Sequence, residues 1–302
     1  LVGSEMCIRD RNTTNIKNRH FSWTTNFNIA FNKNKVLELA ENQSSLLSAA
    51  KFDQNYNSQY SYIAKVGYPM GMMYGFIYEG TYKYEDFDKV GDTYTLKRNV
   101  PYFSSESNTQ PGMPKYADLN GDGIIDDNDR TMIGNGMPKH TGGFTNNFEY
   151  KGFDLSIFFQ WSYGNDVLNA NRLFFENSNK TRDLNQYASY ADRWTPENPE
   201  SNIPRATDSG SNKVFSTRII EDGSFLRLKT VSLGYTLPKQ LTKKWKIDNA
   251  RVFVAGQNLW TCTGYSGYDP EVSIREGALT PGLDFSAYPR AYSISFGINL
   301  GF

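Results

Sequence analysis

The chain has 302 residues, sets 32 Lys+Arg against 32 Asp+Glu, and is only 38% hydrophobic although 15% aromatic. Balanced charge supplies no field to draw the chain to nucleic acid, so a nucleic-acid partner is excluded. No apolar run reaches the ~18 residues of a membrane helix, which excludes helical spans and leaves β-barrels open, because their strands alternate and average out as polar.

The ring count narrows the class. Twenty Tyr and 20 Phe without matching Leu, Val and Ile suit a membrane barrel, whose aromatic girdles flank a polar lumen, better than a water-soluble core. Cys7 and Cys262 lie far apart without metal-type spacing, so neither a disulfide framework nor a zinc site is indicated.

In chain order, the stretch 1–11 (LVGSEMCIRDR) has no secretory leader pattern. It resembles translated sequencing-adapter read-through and is set aside, which leaves 12–302 as a truncated barrel portion. The first strand is expected over about His20 to Phe31. It puts Phe21, Trp23, Thr25, Phe27, Ile29 and Phe31 on one face and polar residues on the other. A second is expected over about Met72 to Tyr84. Phe144 to Tyr150 and Phe153 to Trp161, joined by Lys151-Gly152, read as a hairpin of strands about ten residues long, enough for a tilted strand to cross hydrocarbon. Phe225 to Leu237 is a further strand, with an apolar set that changes phase near Lys229 and so predicts a bulge. Ala250 to Thr261 returns without a clear face. The last strand is the clearest: Tyr292, Ile294, Phe296, Ile298, Leu300 and Phe302 alternate with Ser293, Ser295, Gly297, Asn299 and Gly301. A soluble sandwich strand seldom fills its second face with Gly, Ser and Asn throughout.

Connections of alternating length match a barrel with short periplasmic turns and long extracellular loops. With the C-terminus periplasmic, 262–287, 164–224 and 85–140 are expected outside, and 238–248 and 151–152 inside. The same parity assigns the long segment 32–71 to the periplasmic side. Trp161, Tyr163, Trp260, Tyr288 and Tyr292 fall at one end of the strands, with Tyr150 and Tyr235 at the other, as interfacial belts should; abundant Tyr scattered at random is the plainer alternative.

Four stretches taken together resemble the SusC/RagA family of TonB-dependent outer-membrane transporters. They are GMMYGFIYEG (71–80), DLNGDGIIDDNDRTMIGNGMPKHTGGFTNNFEYK (118–151), GSFLRLKTVSLGYTLP (223–238) and ARVFVAGQNLW (250–260), and SFGINLGF at the end fits the family's terminal strand. The resemblance implies an all-β protein: the C-terminal seven or so strands of an antiparallel transmembrane barrel of about 22 strands, with the plug absent. It also implies import of oligosaccharides or peptides across the cell outer membrane of a Bacteroidetes-like bacterium. The implied partners are TonB, a SusD-like surface lipoprotein and outer-membrane lipid. Phe302, closing an alternating strand, resembles the C-terminal signal of barrel assembly.

One stretch has metal-ligand spacing. Asp118, Asn120 and Asp122 stand at positions 1, 3 and 5 of a calcium-loop pattern. Ile124 follows with its carbonyl at 7, then Asp126 at 9 and Asp129 at 12. A structural Ca²⁺ pinning an extracellular loop is expected; the alternative is an acidic, solvated turn. In 164–224, Arg182, Tyr187, Tyr190, Arg193, Trp194 and Arg205 suit sugar binding or a loop packed on itself. The spacing of Tyr187, Tyr190 and Trp194 predicts a short helix with a buried ring stripe. Lys239, Lys243, Lys244 and Lys246 form a basic turn, facing headgroups or simply solvent. His20 and His140 sit in no catalytic constellation, and no nucleophile elbow or P-loop occurs, so an enzyme is not expected. A soluble calcium-dependent carbohydrate-binding protein is the competing class, and the apolar row of the last strand opposes it.

Overall fold

The computed structural model describes residues 2–54, 56–177, 185–207, 214–274 and 277–302. Seven long strands form one sheet in chain order: β1 (Val2–Lys17), β2 (Phe21–Val36), β3 (His140–Tyr150), β4 (Phe153–Tyr163), β5 (Phe225–Thr236), β6 (Asn249–Thr263) and β7 (Ser293–Gly301). Every neighbouring pair is antiparallel, so the sheet is an up-and-down meander, the arrangement of a barrel wall.

The two ends of this wall differ. At one end the connections are tight. Lys151 and Gly152 both have positive φ (47° and 88°), the mirror-image turn that matches strand twist. Asn18 folds its side chain back to accept the N–H groups of His20 and Phe21 at 3.0 and 2.8 Å. Between β5 and β6, Lys239–Thr242 makes one helical turn. At the other end, 37–139, 164–224 and 264–292 leave the wall and are knitted into a cap. Ser45–Ser48, Tyr62–Lys65, Met72–Gly75 and Thr131–Asn135 form a four-stranded sheet. Asp166–Asn169 pairs with both Ile220–Asp222 and Leu283–Asp284, which joins the second and third excursions. Phe76 and Thr217 join the first to the second: Phe76 N donates to Phe215 O and Thr217 N to Phe76 O.

The hydrophobic core therefore lies in the cap. Tyr62, Met73, Leu168 and Leu283 are fully buried, clustered with Tyr56, Phe174 and Phe215.

Two expectations change here. Met72–Tyr84 is not a wall strand but two short cap strands, Met72–Gly75 and Tyr78–Thr81. Met73 and Phe76 are buried on opposite sides of that segment, and a Cβ on Gly75 would strike the Phe215 backbone; it is enclosed on both faces, whereas a wall strand turns one face to lipid. With it removed, β2 runs on to Val36 and 37–71 emerges at the cap end with the rest of 37–139. The segment 32–71 is thus not on the short-turn side, and connection parity closes for every strand.

The segment set aside as adapter-like runs as most of β1, paired with β2 as far as Val2↔Val36. Its alternation does not continue the wall's. In the row carrying Phe27 and Ile29, β1 places Arg11 and Arg9.

Candidate functional site: a two-faced wall and its cap

The register sorts every wall residue onto one of two faces. Reading across from β7, Phe296 lies beside Val254, Leu233, Leu155 and Phe148 in turn, and Ile294 lies in the row of Gly256, Val231 and Ile157. The outer face is apolar and bare. Ile294, Phe296, Ile298, Leu300 and Phe302 are 57, 80, 68, 50 and 87% exposed, and among the described residues no second sheet or helix covers them. Leaving so many large apolar side chains in water costs about 1.5–3 kcal/mol each relative to burial, so this face belongs in an apolar surrounding.

Aromatic pairs knit the outer face: Phe144 on Phe159 at 4.8 Å, Trp23 on Phe148 at 5.7 Å and Phe153 on Tyr235 at 4.5 Å between ring centroids. Tyr163, Trp161 and Trp260 stand toward the cap end, with Tyr150, Phe153 and Tyr235 at the turn end. Where Asn146 interrupts this face, its Oδ1 accepts Trp23 Nε1 at 3.0 Å and Thr25 Oγ1 at 2.7 Å, which satisfies the amide oxygen locally.

The inner face is mainly polar or small, with Phe158 and Phe253 as its large apolar members. Ser293, Ser295 and Gly297 lie in rows with Gln257, Ala255 and Phe253, then with Thr230, Ser232 and Gly234. Near the turn end, Arg251 Nε meets Asp154 Oδ1 at 2.9 Å and Nη2 meets Oδ2 at 2.5 Å. Near the cap end, Arg227, 2% exposed, binds Asp269 at 2.6 Å and Glu271 at 3.0 Å. Arg290 also reaches Glu271, at 3.0 Å. This anchor ties 264–292 to the wall. Burial alone would raise the Asp269 carboxyl, but the Arg227 hydrogen bond and the N–H groups of Glu271 and Arg290 outweigh it and hold the group below its ordinary range.

All six residues of the acidic motif lie together in a cap loop. Asp118 accepts the N–H groups of Gly121 and Gly123 at 2.7 and 2.8 Å. Asp122 accepts Ile124 N and Asn120 Nδ2, and Asp126 accepts Asn128 N. Asp129 is fully buried; it accepts Leu119 and Asn120 on one oxygen and Asp126 on the other. Its burial acts to raise the carboxyl, and these hydrogen bonds win, so it sits below the usual carboxylate range. The Ile124 backbone pairs beside Tyr102. The donor set is all oxygen, as a hard cation requires, but these carboxylates face N–H groups. Among the described residues no three His, Cys, Asp or Glu side chains gather closely enough to hold a metal ion.

In 164–224 the expected helix is a 3-10 segment, Ala188–Asp192. Tyr190 and Trp194 are 4% exposed each. Trp194 packs against Tyr84, Gly112 and the guanidinium of Arg205, and Arg193 lies over the ring of Tyr190. These side chains hold the cap together; Tyr187 lines a cleft, and Arg182 lies outside the described residues. The anchor at Arg227, the Arg251–Asp154 pair and a buried Asp284 beside Tyr265 escape sequence reasoning, since their partners are distant in the chain and share no motif.

A scan against protein-family models finds no match. Curated relatives do match. TonB-dependent receptor P3 of Formosa agariphila is 34% identical over 307 residues, covering 99% of this chain and 28% of the relative. TonB-dependent receptor P26 of the same organism is 34% identical over 96% of the chain, and TonB-dependent receptor SusC of Bacteroides thetaiotaomicron is 25% identical over 96%. The chain belongs to the TonB-dependent receptors of the SusC/RagA type. Among solved structures, that of the RagAB peptide transporter superposes with a TM-score of 0.75 at 23% identity, over 100% of this chain and 29% of that one. The wall is accordingly a segment of such a receptor's antiparallel barrel, and the family is one of receptors and transporters, not of enzymes. This chain spans 28% of the length of the Formosa relatives.

Proposed function

We propose that the parent protein is an importer in the outer membrane of a Bacteroidetes-like bacterium, driven by TonB and taking up oligosaccharides or peptides too large for a porin. The observation that carries this reading is the sorting of the strands from β2 to β7 into a mainly apolar outer face and a mainly polar or small inner face. In this reading the short turns are periplasmic and the cap is extracellular, where a SusD-like lipoprotein would close over it. The test is uptake: cells lacking the full-length receptor, or carrying it without TonB, should lose growth on the cognate glycan or peptide. Growth unchanged in both strains rejects the reading.

The cap's acidic loop is proposed to take a structural Ca²⁺ through Asp118, Asn120, Asp122, Asp126, Asp129 and the Ile124 carbonyl. Its support is the ligand spacing and the absence, among the described residues, of an ion-pair partner for these four carboxylates, Arg130 pairing instead with Asp127. Binding requires Asp122 and Asp126 to turn from their N–H partners toward one point.

Residues 1–11 are proposed to be foreign to the natural wall, with the native segment confined to 12–302. Two arginines in a lipid-facing row cost about 2–4 kcal/mol each at mid-depth. Peptide mapping of the cellular protein by mass spectrometry tests this: a peptide containing Met6-Cys7-Ile8 would overturn it.

A further inference from the structure

Asp284 is a buried carboxylate with no ion-pair partner among the described residues. It is 5% exposed and lies at the end of the short pairing between Leu283–Asp284 and Asp166–Asn169. Its Oδ2 accepts the hydroxyl of Tyr265 at 2.6 Å. Its Oδ1 is buried without any hydrogen-bond partner. Among the described residues no Lys or Arg lies within ion-pair distance of it; Arg172 and Arg218, on the second excursion, are engaged with Glu176, and Arg172 also with Glu221. A buried carboxyl oxygen left without a partner is costly unless a hydrogen-bond donor arrives.

Asp284 is also one of the residues lining a cleft of about 500 Å³, with Oδ1 just beneath the surface. Phe175 and Tyr187 form one side, their rings 5.4 Å apart. Tyr268 and Tyr288 also line it and are 83 and 93% exposed, available to fold over an occupant. Asn171, whose Oδ1 is already engaged by the N–H of Ser286, adds to the lining. An unsatisfied carboxyl oxygen beside a ring-lined cleft suits a compact cationic donor, which on a small movement of Asp284 gains both that oxygen and the ring quadrupoles. A neutral sugar hydroxyl would meet the oxygen without the charge-assisted bond or the ring attraction that an ammonium adds.

We propose that this cleft is a subsite for a primary ammonium group, held on Asp284 and covered by Tyr187, Tyr268 and Tyr288. The chemistry is shared by lysine-bearing peptides and amino sugars. The proposal deepens the importer reading by naming a feature of the substrate, and it rests on that reading only for how the ligand arrives.

The experiment is titration of the purified full-length receptor in detergent with three probes: trilysine, the trimer of glucosamine and maltotriose. At least one amino probe should bind. Asp284→Asn, which keeps the shape and an acceptor for Tyr265, should weaken it about tenfold or more. Tyr288→Ala, at an exposed position that cannot disturb the core, should weaken it by a smaller factor. Binding by trilysine alone assigns a peptide and by the glucosamine trimer alone an amino sugar. Equal affinity of an amino probe for wild type and Asp284→Asn overturns the proposal, as does failure of both amino probes, or maltotriose binding as tightly as they do. Uptake failing while binding survives would sink the importer reading and spare the site; uptake persisting with no Asp284-dependent binding would do the reverse.

Discussion

Arg251 and Asp154 meet as a forked ion pair across an intervening strand: they sit on β6 and β4, and they join diagonally over Gly234 of β5, the register partner of Asp154, while Arg251 itself pairs with Thr236. A Cβ at Gly234 would collide with both the Arg251 guanidinium and the Asp154 carboxylate. Glycine is there for space, so that one side chain can lie flat over the strand.

Gly234→Val in the full-length receptor is expected to destabilise the folded barrel by about 1–3 kcal/mol, the usual cost of forcing atoms into an occupied site. Adding Arg251→Ala should recover most of it. Heat-dependent mobility on gels measures both; a single variant as heat-resistant as wild type contradicts the close approach.

Arg227 anchors the third excursion. Arg227→Ala leaves the buried Asp269 without its cation, while Glu271 keeps Arg290, at a cost on the order of 3–5 kcal/mol. Limited proteolysis should then cut within 264–292 while the wall stays protected.

The pH dependence of that anchor follows from Asp269. Its folded carboxyl lies below the ordinary range, so its contribution is fully present above the unfolded pKa of about 3.9 and is lost as pH falls through the folded value. Protection of 264–292 should be flat around neutral pH and decline only below about pH 4; a decline beginning near pH 6 would point to another group.

In the acidic loop, Asp129→Ala removes the acceptor of three backbone N–H groups, and each unmade bond at a buried site costs about 1–3 kcal/mol. Loop cleavage by protease reads that loss with or without metal. The separate Ca²⁺ proposal predicts heat on adding Ca²⁺ to chelator-treated receptor, abolished in Asp118→Asn; no heat in the wild type rejects the cation and leaves the self-bonded loop.

How much of this was legible in the sequence depended on how local the cause was. Strict alternation marked β7, the β3–β4 hairpin and β2, because period two needs only adjacent residues. The phase change near Lys229 appears as a register shift between Leu228 and Thr230. Faces on β6 were illegible, since Val252 and Val254 point out while Phe253, equally apolar, lies inward across Gly297. Met72–Tyr84 misled because a cap strand buried on both sides carries as many rings as a wall strand. At the acidic loop, spacing brought the six residues together but did not reveal where each carboxylate points. Nothing near Asp284 in the chain announces Tyr265 or the cleft.

The most direct measurement labels neighbouring positions of β7 in the full-length receptor in lipid bilayers, with Cys262→Ser as background. Single nitroxides at Phe296 and Ile298 should be accessible to oxygen and shielded from an aqueous nickel chelate, while those at Ser295 and Asn299 should show the opposite. Alternation absent, with all four positions equally reached by the chelate, would contradict a wall that turns one row to lipid and the other to a wet lumen.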